Sequence, residues 1–226
     1  MLDYESLLRW SENQWEQSIL PSLSEFISIE ALSPGFEPRW EEKGELSATL
    51  DLFQNWADIQ GIEGLESHRF KLNGRTPLLI IKVKGSLPGE ILFYSHLDKQ
   101  PSKPDLWSDG LSPFVGKRRG EWLYGRGSID DGYGGYLCIS AIKALQAHGM
   151  DHPSATFLIE TCEESGSYDL PAYLDHCTPY LGKPDLVVVM DSGGPDYDHI
   201  WKTDALRGLI HGTLTVSYTH LTLPTI

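Results

Sequence analysis

Two short runs, residues 155–161 and 186–190, are near-continuous apolar stretches, the first interrupted by Thr156 and ending on Glu160 and Thr161. A strand with one wet face alternates apolar and polar side chains, whereas a strand covered on both faces reads as a near-continuous apolar run. Such runs need helices on both sides of a sheet, and the chain supplies helical patterns between them. Residues 5–29 repeat apolar positions at helical spacing (Leu7, Leu8, Trp15, Ile19, Leu20, Leu23, Phe26, Ile27), with Pro21 a break or kink. Residues 41–59 do the same through Leu46, Leu50, Leu52, Phe53 and Trp56. Residues 134–147 are expected to be helical with Gly149 as the C-terminal cap, and a further helix is expected around 170–176. Strands are expected at 68–72 and 78–83, joined as a hairpin by Asn73-Gly74, at 90–95, and briefly at 122–124. This alternation predicts an α/β fold: a mixed, largely parallel sheet flanked by helices on both faces.

Four segments that follow these strand-like runs carry the chemistry: Ser95-His96-Leu97-Asp98, Ser128-Ile129-Asp130-Asp131, Cys162-Glu163-Glu164-Ser165 and Met190-Asp191-Ser192. In an α/β sheet the residues at strand C-termini converge on one crevice. An imidazole and several carboxylates gathered there repel one another unless cations lie between them, and that donor set suits zinc, manganese or another first-row divalent metal.

Residues i and i+2 of an extended chain share a face, so Asp98 can reach the His96 ring and fix its tautomer. The Gly125-Arg126-Gly127 turn is no dinucleotide loop. Its third glycine is not at the required spacing, and Asp130 and Asp131 stand where a pyrophosphate needs amide donors. Adjacent Glu163 and Glu164 point in different directions, so one can ligate while the other takes a proton from water. Ser192 lacks the Gly-x-Ser-x-Gly surroundings of a nucleophilic serine.

Composition limits the partners. A net charge of −14 disfavours nucleic acid and anionic membrane surfaces. Cys138, Cys162 and Cys177 are too few and too irregularly spaced for a disulfide framework and are expected to be reduced. Residues 1–20 carry five charged side chains and do not form a secretion signal. No segment is long and apolar enough to span a bilayer, so a cytoplasmic location is expected.

Taken in order, the four segments resemble the co-catalytic metallopeptidase family of carnosinases, aminoacylases, succinyl-diaminopimelate desuccinylases and glutamate carboxypeptidases, over roughly residues 7–216. The resemblance implies two divalent ions, zinc, with manganese or cobalt as alternatives. It implies His96 and Asp191 on one ion, Glu164 on the other, and Asp130 bridging both, followed by a non-proline cis peptide. Asp98 would orient His96, and Glu163 would be the general base. The lysine common after the paired aspartates is replaced here by Gly132-Tyr133. His-Leu-Asp-x-Gln-Pro and Glu-Glu-Ser-Gly-Ser look most like the dipeptidase and carnosinase side of the family. The implied reaction is hydrolysis of an amide bond in a dipeptide or small peptide. An N-acyl amino acid deacylase or desuccinylase is the rival reading, and a non-catalytic cation-binding module the rival from another class.

The resemblance also implies missing parts. Residues 1–205 would be the N-terminal part of the catalytic domain and 206–216 the start of a lid and dimerisation domain, through which a longer parent would form a homodimer. The histidine completing the second metal site would lie beyond this sequence. Residues 217–226 read as translated adapter sequence, a non-native tail. The chain as given is expected to be inactive by itself.

Overall fold

The structure, a computed structural model, describes residues 3–194, 196, 198–210, 212 and 215. They fall into two units, residues 1–193 and 194–226.

In the first unit the chain begins with α1 (Tyr4–Gln14), whose first turn is capped by Asp3, with Glu5 N donating to Asp3 Oδ1 at 3.2 Å. The expected break at Pro21 takes the form of a widened turn: Leu20 N–H reaches back to the Trp15 carbonyl, and Pro21 sits in the first turn of α2 (Leu20–Ser28), where no N–H is needed. The pattern read as one helix over 41–59 is two, α3 (Trp40–Lys43) and α4 (Glu45–Asp58). Gly44 divides them at φ 69°, a left-handed conformation that ends α3 although the apolar period runs on.

The sheet is built from β1 (Leu65–Phe70), β2 (Leu78–Val83), β3 (Leu87–His96), β6 (Pro153–Glu160) and β7 (Leu186–Val189), in the spatial order β1-β2-β6-β3-β7. β2 is antiparallel to both β1 and β6, while β3 is parallel to β6 and β7. Four of the five strands therefore run one way. Gly74 (φ 69°) lies in the loop joining β1 to β2, and Arg75 N bonds Leu72 O at 3.1 Å. The expected strand at 122–124 is β5 (Trp122–Tyr124), paired with β4 (Lys117–Arg119) in a separate small hairpin.

β2 and β6 show why apolar runs need two helical layers. Leu79, Ile81, Val83, Ala155, Phe157 and Ile159 face a core shared with α2, α4 and α5 (Tyr133–Ala147). Leu78, Ile80 and Leu158 face the opposite side, toward α6 (Leu170–His176) and its neighbour α7 (Thr178–Leu181), through Tyr173 and Cys177. Each such buried aliphatic or aromatic side chain contributes about 1.5–3 kcal/mol. Tyr136 locks the larger core. Its ring lies edge-on to Phe53 and Trp56, and its hydroxyl meets Ser22 Oγ at 2.8 Å. Cys138, Cys162 and Cys177 are free and buried.

The run at 186–190 departs from expectation. It forms β7, but Leu186 and Val187 are each 53% exposed. β7 pairs with β3 alone among the described residues, so neither its outer edge nor its faces are covered as an interior strand's would be. No described helix is long and apolar enough to cross a membrane.

In the second unit, Asp196 Oδ1 accepts from the backbone N–H groups of Asp198 and His199 and lies 2.8 Å from His199 Nδ1. The expected lid start at 206–216 shows no helix or strand at its described positions, and the tail at 217–226 lies outside the described residues.

Candidate active site

The three parallel strands β3, β6 and β7 deliver their chemistry at their C-terminal ends. His96 is the last residue of β3, paired with Glu160 at the end of β6. Leu97 is fully buried and its N–H bonds the Glu160 carbonyl at 3.0 Å, so the chain stays pinned as it leaves the sheet. Glu163 and Glu164 open a short turn just beyond β6, and Asp191 lies two residues past the end of β7. Asp130 comes from the turn before α5, closed by Gly132 N to Gly127 O at 2.9 Å. The Asp130–Asp131 peptide is cis.

These residues meet around the His96 ring. Its Nε2 lies 3.4 Å from Asp130 Oδ1, 3.5 Å from Asp191 Oδ2 and 3.7 Å from Glu163 Oε2. Among the described residues two groups have ligand atoms all within 4.8 Å of one another: His96, Asp130 and Glu164, and His96, Glu163 and Asp191.

Asp98 meets the His96 ring and carries a second duty that the sequence did not suggest. His96 Nδ1 makes its hydrogen bond to the main-chain carbonyl of Asp98 at 3.1 Å, with the carboxylate Oδ1 farther away at 3.4 Å. The carboxylate is occupied elsewhere: Oδ1 accepts from Glu163 N at 3.1 Å and Oδ2 from Glu164 N at 3.0 Å. Asp98 therefore caps the turn that carries both glutamates, while its own backbone fixes the ring. No local signal in the sequence distinguishes these two duties.

The electrostatics follow from burial among like charges. Burial favours neutral imidazole, but the carboxylates of Asp130, Asp191 and Asp98 outweigh it and raise the His96 pKa. The neighbouring His96 ring lowers the pKa of Asp130, with Arg126 adding a smaller downward pull. Burial raises the Glu163 pKa and pushes Glu164 up to about 7, although Gln100 opposes the latter shift. Asp131, fully buried, is likewise pushed up to about 7 by burial.

A divalent cation fits this donor set. His96 Nε2 and Glu164 Oε1 are buried and have no hydrogen-bond partner, a condition that burial penalises unless something else satisfies them. One imidazole nitrogen with surrounding carboxylate oxygens is a first-row metal environment, and the Asp98 carbonyl on Nδ1 is the outer support that leaves Nε2 free to ligate.

The chain is similar to known proteins in sequence and in fold. Residues 92–217, more than half of the chain, match the profile of peptidase family M20/M25/M40. The chain belongs to this family. It is 31% identical over 147 residues to the human Beta-Ala-His dipeptidase, covering 63% of this chain and 27% of that protein. It is 30% identical over 145 residues to the Cys-Gly metallodipeptidase dug1 of Schizosaccharomyces pombe, covering 62% of this chain and 30% of that one. The crystal structure of human carnosine dipeptidase 1 superimposes with a TM-score of 0.67 at 25% identity, over 83% of this chain and 41% of that one. The chain thus spans less than a third of each curated relative it matches here.

For this M20/M25/M40 member the structure adds residues to which sequence reasoning gave no role. Gln100 Nε2 donates to Glu164 Oε2 at 2.6 Å, so the glutamine of the His-x-Asp-x-Gln-Pro string steers a site carboxylate. Asp131 Oδ2 accepts from the backbone N–H of His96 at 3.3 Å, tying the end of β3 to the turn that carries Asp130. Ser165 Oγ meets Ser33 Oγ at 2.6 Å and accepts from Gly35 N at 2.8 Å. Gln100 stood in a quoted motif; the pairing of Ser33 with Ser165 has no sequence signal.

Proposed function

We propose that this chain supplies the metal-binding and proton-transfer face of a metal-dependent dipeptidase, with His96, Asp130, Glu164 and Asp191 as ligands and Glu163 as general base. The observation that carries the reading is the unpartnered, buried His96 Nε2 ringed by three carboxylates, in a family whose similar members here are named as dipeptidases.

Divalent ions, zinc or manganese, would lower the pKa of a water and polarise the scissile carbonyl when bound. This chain's residues do the rest. Glu163, with its pKa raised by burial, takes a proton from water and delivers it to the leaving amine. Asp98 holds the Glu163–Glu164 turn by its two main-chain amides, which fixes where that proton is collected. Gln100 keeps Glu164 turned into the site.

His96 has only one nitrogen to offer, because Nδ1 is committed to Asp98. A single ion can therefore have the imidazole, and any second ion meets carboxylates only among the described residues. Zinc sites generally use three protein ligands beside water, so this chain by itself should hold about one ion tightly and turn over dipeptides negligibly. In a protein that completes the catalytic domain, Glu163→Gln should lower dipeptide hydrolysis by about 10²–10⁴-fold while metal content stays the same. Elemental analysis and a dipeptide assay check both halves. Loss of metal with Glu163→Gln, or unchanged turnover, would remove Glu163 from this role.

A further inference from the structure

We infer that Lys99 is a positioning residue of this site, a buried ammonium that ties the loop bearing His96 and Asp98 to the end of α2 and to the glycine turn bearing Asp130. The inference rests on the metal reading above.

Lys99 is fully buried. Its Nζ donates to three main-chain carbonyls at the end of α2: Phe26 at 2.8 Å, Ile27 at 3.3 Å and Ile29 at 2.6 Å. An ammonium has three N–H donors, and all three are used. It also lies 4.0 Å from the centre of the Phe26 ring, on the negative face of that π-system. The last carbonyls of a helix carry partial negative charge, and although Phe26 O also accepts from Ile29 N at 3.1 Å, a cation placed there complements all three.

The backbone of Lys99 is held by the same segment. Its N–H bonds the Ala31 carbonyl and its carbonyl accepts from Ser33 N, both at 3.0 Å. Ala31 has φ 40°, which an alanine adopts only when its surroundings impose it. Residues 29–35 thus form a strap bound at one end to Lys99 and at the other, through Ser33 and Gly35, to Ser165 beside Glu164.

The third tie is to the Asp130 turn. A Cβ at Gly127 would come within 2.7 Å of Lys99 Cε, and one at Gly132 within 2.4 Å of Phe26 Cε1. The turn therefore sits directly on the Lys99 stem and the Phe26 ring. One ammonium that touches no proposed ligand fixes the relative placement of three loops that bring His96, Asp130 and Glu164 together.

The test uses the chain as it stands, metal-free and titrated with Co²⁺. Lys99→Met keeps the stem and removes the charge. It should retain the α/β circular dichroism, speed amide exchange at Glu163, Glu164 and Gly132 in the metal-free chain by tenfold or more, weaken Co²⁺ binding tenfold or more and change its visible ligand-field spectrum. Tyr173→Phe, which removes buried hydrogen bonds to Leu72 and Thr76 on the far face of the sheet, should lower stability and leave the Co²⁺ spectrum unchanged. Lys99→Met with parental exchange and spectrum, or Tyr173→Phe with the same spectral change, overturns the inference. Should Lys99→Met fail to fold, Phe26→Leu decides: it keeps the ammonium but removes its seat, and an unmoved spectrum and exchange pattern overturn the inference. A parent chain that binds no Co²⁺ refutes the metal reading instead, and the metal-free exchange rates still judge Lys99.

Discussion

Replacing Asp98 separates two jobs that a single carboxylate is expected to share. If Asp98 acted only by orienting His96, Asp98→Ala would matter only when metal is bound. The hydrogen bond of the ring goes to the Asp98 carbonyl, which survives the substitution, while the carboxylate lies 3.4 Å from the ring and accepts from the amides of Glu163 and Glu164. Removing it leaves two amides without their acceptor beside a fully buried residue. At about 1–3 kcal/mol for each donor left unpaired, an upper range for these two partly buried amides, the loss sums to at most about 6 kcal/mol, a large part of the roughly 5–15 kcal/mol that holds a domain together. Asp98→Asn keeps one oxygen for one amide and turns its NH₂ toward the other, so it should lose about half as much. Urea unfolding in excess chelator measures this. With a slope of about 2–3 kcal/mol per molar, Asp98→Ala should lower the midpoint by about 1–2 M and Asp98→Asn by less. A metal-free Asp98→Ala chain that unfolds at the parental midpoint would refute the capping argument.

The remaining predictions concern protons and metal. Asp131 and Glu164 have pKa values raised to about 7 in the fold, and that of His96 is raised as well. Each group therefore binds more proton when folded than when unfolded over the interval between its two values. The metal-free chain should accordingly lose stability as pH rises from about 5 to about 7, and saturating Zn²⁺ should reverse the trend because metal competes with those protons. Urea midpoints at the two pH values decide it, and a metal-free midpoint that rises with pH would contradict the burial argument. Gln100→Ala frees Glu164 from its 2.6 Å donor and should weaken metal binding by about 10–100-fold without altering the fold. Equilibrium dialysis against Zn²⁺ with circular dichroism reads both, and undiminished affinity would show that Gln100 does not steer the ligand.

What the sequence disclosed depended on whether the signal was local. The runs that became β2 and β6 were legible because helices cover both their faces, and apolar side chains on both faces of each strand are the direct result. The same pattern misled at β7, since its composition describes a burial that the described residues do not provide. Gly44 was visible as a letter, but its left-handed backbone was hidden under an apolar period continuous across it. His96, Asp98, Asp130, Glu163, Glu164 and Asp191 stood out because each follows a strand-like run. Their partners did not, because the acceptor for the Glu163 amide lies 65 residues earlier and the contact between Ser33 and Ser165 spans 132. Long-range hydrogen bonds leave no periodicity to read.

The exposed fifth strand gives the proposed metal a second task. Among the described residues β7 is hydrogen-bonded to the sheet along one side only, and Asp191 follows two residues past its end. An ion gripping Asp191 and His96 together would join the end of β7 to the end of β3, adding to the backbone ladder, the Glu90–Asp185 contact and the Tyr133 hydroxyl on the Met190 carbonyl. The cation would then work as a rivet for the margin of the sheet as well as a reagent. Withdrawing it would slacken that margin first, with Leu186 to Val189 peeling away while the deeper strands stay in register.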